Sequence, residues 1–499
     1  MIVIKNLSLY FVKSIVLLYF IKNCTAATRI MFKRCGLDGF TCKTNANKKS
    51  DIYYECPKTS TDILIYINQM GTATTTEKIS INNCEKVTIN MGCPKQNPYL
   101  LYLQITNVEK LSFLRTKVDS VVPPKVTLEN ITHIDTIPFH TFAQVDKTYS
   151  TASCTVPTTD FESLHIKNVN IDTVETGAFV GLNNFKNITL YNVSIKKIQT
   201  KGMSFRQNPL AEFEIMNSSI NVIEDMGIQI YTDRAIISKN EFSEIYSSGI
   251  NGSMKDFFFT NNSITTIHPY GISILATNTF ILDNIFTYLK SYALEKISPG
   301  VLKVSEINLG KLKFIFDFSR NTISFADAGS LSPDYVSYEN VKTEMVFSRN
   351  KFYCSCEYLG WLVSDLGHGP NTLQLDTFYK MVLNESSDNV CYQGCNLPVA
   401  VVKDMIQCGK CLKNVTIESL CLARLQIKVD VPTFEAESIS TSTEYVTSFE
   451  TEEAEDSTEQ NDYTNQQTAQ SSTSSTKTGN TFLGLTVVFL QYVIFNHKV

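Results

Sequence analysis

The sequence predicts a solenoid, in which short strand-forming turns stack around a shared apolar core. Three observations predict it. A hydrophobic ladder recurs about every 23 residues between Phe161 and Leu289, a period typical of stacked repeats. The composition is polar and β-branched, with 30 Phe and a single Trp, which suits strands better than helices. The cysteines gather at both ends and leave residues 155 to 353 bare, as expected if terminal turns are stapled and inner turns stabilise one another.

The ladder is clearest in three rungs. They are Phe161, Leu164, Ile166, Ile171 and Val174; then Phe185, Ile188, Leu190, Ile195 and Ile198; then Leu210, Phe213, Ile215, Ile220 and Ile223. Pairs such as Leu164/Ile166 and Ile188/Leu190 read as short strands with alternate side chains inward. Later rungs place Asn240, Asn262 and Asn284 two residues before Phe242, Ile264 and Phe286. An inward Asn there can bond the backbone of the following bend, and stacking repeats the arrangement. Val169, Val193 and Ser218 stand at the equivalent earlier positions, so the Asn series is partial. Longer loops precede the rungs at Phe316–Ile323 and Met345–Phe352, and such loops are candidate binding sites.

The chain divides in order into a signal peptide (1–27), an N-terminal cysteine-rich cap (28–60), degenerate repeats (61–155), clear repeats (156–352) and a C-terminal cysteine-rich cap (353–430). A Ser/Thr/Glu-rich stalk (431–478) and an apolar tail (479–499) follow. The apolar run Phe11–Ile21 before Cys24-Thr25-Ala26-Ala27 has the parts of a cleaved secretory signal. The stalk cannot form a core and is expected to be disordered. The stretch Phe482–Phe495 is short for a bilayer span. With its polar spacer it has the parts of a lipid-anchor signal, whose attachment residue falls among Ser471, Ser472, Ser474 and Ser475.

In that secretory setting the disulfide candidates are Cys35, Cys42, Cys56, Cys84 and Cys93 before the ladder, and Cys354, Cys356, Cys391, Cys395, Cys408, Cys411 and Cys421 after it. Cys154 also precedes the ladder. Loss of Cys24 with the signal would leave 13 of the 14 cysteines, hence one free or intermolecular thiol. Cys408-Gly-Lys-Cys411 lacks a second close pair for zinc. Glycan acceptor motifs occur at Asn130, Asn187, Asn192, Asn217, Asn251, Asn261, Asn384 and Asn414.

From Met254 to Ile267 the ladder resembles the consensus of extracellular leucine-rich repeat proteins, with Phe in several Leu positions. Gly177-Ala178-Phe179-Val180-Gly181-Leu182 is similar to a late segment of that repeat. Cys354-Ser-Cys356-Glu-Tyr-Leu359-Gly-Trp361-Leu362, with Cys395-Asn-Leu-Pro398 and Cys408, resembles the family's C-terminal cap. Cys391, Cys411 and Cys421 depart from it. The resemblance implies an α/β-type horseshoe, strand-rich with short irregular convex turns. It also implies two disulfides among Cys354, Cys356, Cys395 and Cys408, and a concave face that binds proteins. A parallel β-helix is the alternative fold, because its turns stack short strands at a similar period.

The expected function is therefore binding of an extracellular or cell-surface protein, in adhesion or as a co-receptor, at the outer face of the plasma membrane. A structural matrix or surface-coat glycoprotein is the alternative, and a polysaccharide-acting β-helix enzyme comes third. Charged residues make up 19%, with a net charge of −5, so no concentrated basic surface for nucleic acid is expected. No cofactor or metal site is expected, and no catalysis. His165 should face outward on its strand. Asp172, Glu175, Glu224 and Asp225 show no same-face partner, and the common hydrolase motifs are absent.

Overall fold

The computed structural model describes residues 28–30, 40–44, 50–56, 63–66, 76–91, 100–115, 123–143, 161–182, 185–205, 211–301, 312–354, 380–392 and 396–400. The chain divides into two compact units, 1–431 and 432–499, and all of these residues belong to the first. The signal peptide, most of the C-terminal cap, the stalk and the apolar tail lie outside the described residues. So do Cys35, Cys93, Cys154, Cys356, Cys395, Cys408, Cys411, Cys421, Asn414 and the four candidate anchor serines.

A full turn of the array contributes three strands. Face A runs through Ser163–Lys167, and face B through Asn170–Val174. The strand Ser163–Val174 carries both, bent at Asn168. Face C follows at Phe179–Leu182. Successive turns pair in parallel with little slippage. Asn187 to Ile198 lies on Ser163 to Val174, and Ile250 to Thr260 lies on Ile228 to Ser238. On face A alternation buries one residue in two, Leu164 and Ile166 being buried and His165 between them half-exposed; on face B two outward residues, such as Asp172 and Thr173, separate the buried Ile171 and Val174.

These features define a parallel β-helix and overturn the leucine-rich-repeat horseshoe. A horseshoe has one parallel sheet backed by helical or irregular turns. Here the residues that would form those turns are strands of faces B and C. The third strand is written in the sequence as Ile228-Gln-Ile230, Ile250-Asn-Gly252-Ser-Met254 and Ile272-Ser-Ile274-Leu-Ala276, an inward alternation 22 residues apart. Gly177 to Leu182, similar to a repeat segment of that family, is instead the second corner and a face C strand. Among the described residues helix is confined to short pieces such as Tyr335–Glu339, whose first turn is capped by Asp334 accepting from the Ser337 N–H. Tyr338 from this piece is buried against Phe316.

The corner between faces A and B explains the asparagine content. Asn83, Asn107, Asn130, Asn168, Asn192, Asn217 and Asn261 all have φ between 52° and 56°. Asn tolerates this left-handed conformation better than other residues with a side chain. The next residue points inward. It is Cys84, Val108, Ile131, Val169 and Val193 in the early turns, then Ser218, then Asn240, Asn262, Asn284, Asn321, Asn350 and Asn389. The inner amides stack. Nδ2 of Asn262 donates to Ile237 O at 2.9 Å and to Oδ1 of Asn284 at 3.1 Å, and that oxygen also accepts the Asn262 backbone N–H at 2.9 Å. The same three bonds recur at Asn240, Asn284, Asn321 and Asn350. The inward role expected for Asn240, Asn262 and Asn284 is thus observed, and the stack extends to Asn389.

Gly252 shows how closely the turns approach on face C. A Cβ there would lie 1.8 Å from the carbonyl oxygen of Ile230, so any side chain would force the turns apart. At the ends, the antiparallel pairs Phe40–Thr44 with Ser50–Glu55 and Val390–Cys391 with Leu397–Pro398 interrupt the parallel stack. Disulfides Cys56–Cys84 and Cys354–Cys391 tie neighbouring turns near these ends. Cys354 therefore pairs with a cysteine that departs from the leucine-rich-repeat cap pattern.

Candidate functional site

The register of face B brings together groups that are far apart in sequence. His133 and Asp135 lie two residues apart on Lys125–Ile137, so both side chains leave the same face. The next turn pairs Ile134 with Ile171 and Thr136 with Thr173, which sets Asp172 beside Asp135. His133 Nε2 lies 2.6 Å from Asp135 Oδ1 and 3.7 Å from Asp172 Oδ2. One ligand atom from each of the three falls within 4.8 Å of the others.

Lysines close the group on both sides. Lys110 Nζ is 2.7 Å from Asp135, and Lys196 Nζ is 2.8 Å from Asp172. The Lys110 ammonium hydrogen-bonded to Asp135, helped by His133, holds that carboxyl below the usual carboxylate range. The Asp135 side chain is 51% exposed, so this is a surface cluster. Chemically it offers an imidazole and two carboxylates for proton transfer, or three ligand atoms for a divalent cation. A cation would first have to displace two ammonium groups.

The expectation that the chain is not an enzyme is corrected by this cluster, which offers a candidate catalytic or cation site, and the view that Asp172 has no same-face partner is overturned. The missed signal was the His133-x-Asp135 alternation. The long insertion at 144–160 hid the matching turn, placing Asp172 37 residues after Asp135 instead of about 23. Other acidic residues have simpler partners. Glu175 pairs with Arg115, and Glu224 pairs with Lys197 at 2.6 Å. His165 lies outward on face A, and burial lowers its pKa.

Asn130, Asn192, Asn217 and Asn261 occupy the same left-handed corner and are exposed. In the early turns the corner amides form an outer stack. Asn192 donates to Asn168 at 2.8 Å, Asn168 to Asn130 at 2.8 Å, and Asn130 to Asn107 at 3.0 Å. Asn187 opens a face A strand, Asn251 lies on face C, and Asn384 is exposed near the C-terminal end of the array. A polar groove of about 570 Å³ flanks the corner, lined in part by Asn170, Asn217, Ser219 and Glu241.

The fold and this surface define a parallel β-solenoid with a polar, partly aromatic outer face. No protein-family model matches the sequence, and a search of curated proteins finds no match. The leucine-rich-repeat protein-binding function loses its basis, because the described residues form a parallel β-helix and not the horseshoe whose concave sheet carried it.

Proposed function

We propose that this chain is a structural surface-coat or extracellular-matrix glycoprotein built on a rigid β-solenoid. The observation that carries the reading is the double reinforcement of the stack. Backbone pairing runs from turn to turn, and the buried amide series from Asn240 to Asn389 adds side-chain bonds across every interface it spans. About a dozen turns at a strand spacing of ~4.8 Å give a strut of roughly 60 Å. Such an element holds a fixed length without a ligand. The secretory start, the corner glycan acceptors and the lipid-anchor-like tail fit delivery of the strut to a cell surface.

A polysaccharide-acting enzyme is the second reading, favoured by the convergence of His133, Asp135 and Asp172. One fractionation separates the two. A coat protein is recovered with insoluble surface material, is released by a phospholipase that cuts glycolipid anchors, and leaves a thinner coat when depleted. Recovery as a soluble protein that generates new sugar reducing ends, with the coat intact after depletion, would replace the structural reading with the enzymatic one.

A further inference from the structure

We infer that face B is a binding track for a linear, uncharged polysaccharide. The inference rests on the coat reading and names what the strut holds. In register, one outward row passes from Asn221 through Ser243, Thr265, Thr287 and Ser324 to Tyr353 and Tyr392. The first five lie on successive strands and the two tyrosines directly follow the next two, Lys351–Phe352 and Val390–Cys391, so the row spans roughly 30 Å at ~4.8 Å per strand.

The chemistry of the row selects the ligand. No residue in the row carries a charge, and those beside it (Glu241, Glu244, Lys290 and Lys351) are of both signs, so a polymer of one charge gains little net attraction there. Hydroxyl and amide groups fill its first part, and Asn221, Ser243, Thr265 and Thr287 are exposed. Its far end is aromatic. Tyr353 is 36% exposed, and its ring centroid lies 5.8 Å from Phe325 and 6.1 Å from Tyr392. Tyr288 lies 6.3 Å from Phe325, with Lys290 Nζ 3.8 Å over its ring and its hydroxyl donating to Asp327, and so borders the aromatic end. The Ser324 hydroxyl lies 3.4 Å from that of Tyr392, leaving a polar atom among the rings. Apolar ring faces beside hydroxyls match a sugar ring, which presents C–H groups on its faces and hydroxyls at its rim.

The shape excludes other ligands. The row is a strip and not an enclosed pocket, which favours a polymer over a small molecule. A peptide strand would need an open backbone edge, whereas these strands are already paired on both sides. A polymer lying along the axis meets the same hydroxyl position once per turn, so each sugar finds an equivalent contact. The track begins three strands beyond Asp135 at its hydroxyl end, with Asp172 and Lys196 on the two strands between, on the same face.

The test is retention of the full chain, made in a secretory host, on insoluble cellulose, chitin and β-1,3-glucan. Retention on at least one of them is expected. Tyr353→Ala and Thr265→Arg should each weaken it at least tenfold, and Phe258→Ala, on face A, should leave it unchanged. Circular dichroism and the urea midpoint establish that each variant is folded. Thr265 is exposed, so Thr265→Arg decides if Tyr353→Ala unfolds. The proposal is overturned if none of the three polysaccharides retains the chain, or if folded Thr265→Arg binds like the parent. Because the assay uses purified components, its failure leaves recovery with the coat, and thus the structural reading, intact.

Discussion

The two halves of the solenoid solve the same corner in opposite ways. From Asn83 to Asn192 the amides stack on the outside, and the disulfide-bonded Cys84 and then aliphatic side chains fill the inside. From Asn240 to Asn389 the amides stack on the inside, and the outer position passes to Lys239, Asn261, Asp283, Arg320, Arg349 and Asp388. The exchange happens within one turn, at Asn217-Ser218, where the Ser218 hydroxyl accepts from Val193 N–H and its own N–H donates to Asn240 Oδ1. An outer amide competes with water for every bond. An inner amide is shielded, so its bonds are stronger and its loss is costlier. Residues one position apart therefore differ sharply in what they contribute.

The largest expected effect breaks the inner stack. Asn284→Ala would strand the Asn262 backbone N–H, the Asn262 amide and the Phe259 carbonyl, which Asn284 serves at 2.9, 3.1 and 2.8 Å. Unsatisfied buried groups cost about 1–3 kcal/mol each, so a loss of roughly 4 kcal/mol in urea unfolding is expected. A loss under about 1 kcal/mol would mean that water or neighbouring groups replace the amide. The outer stack is the milder case. Asn168→Ala should cost about 1 kcal/mol, chiefly through the left-handed backbone, and Asn168→Gly should be near neutral. Equal losses for both variants would show that the outer amide bonds matter more than the conformation.

The smallest effect is electrostatic. The Asp135 carboxyl is held below the usual carboxylate range by Lys110 and then His133. A lowered folded-state pKa contributes stability above the ordinary carboxylate range and loses it as pH falls through the folded value. The stability gap between the parent and Asp135→Asn should thus be present at neutral pH and vanish in acid. Salt should also shrink it, because the pair is exposed. A gap that grows on acidification would contradict the Lys110 pairing.

The repeat was legible because inward side chains at Leu164, Ile166, Ile171 and Val174 obey a spacing that any stacked fold imposes. The choice between horseshoe and β-helix was harder, since both place an inward Asn after a two-residue strand signal. What separates them is the third alternation at Ile228, Ile250 and Ile272, which reads as loop until its 22-residue return is noticed. His133 was illegible for a different reason: the insertion at 144–160 broke the count that would have aligned it with Asp172. The face B row was also hidden, because Ser243, Thr265 and Thr287 are ordinary polar residues until pairing lines them up.

The corner has one more consequence, for how the sequence is read as a record of modification. It asks for a left-handed Asn, then an inward residue, then an outward residue that suits a strand, often Ser or Thr. Asn130-Ile-Thr132, Asn192-Val-Ser194, Asn217-Ser-Ser219 and Asn261-Asn-Ser263 all meet that demand. The demand spells the glycan acceptor motif. Where the outward residue is Ser or Thr the turn carries a ready acceptor, and where it is Glu85, Glu109 or Asn170 the same corner carries none, so these four motifs record corners before they record sugars.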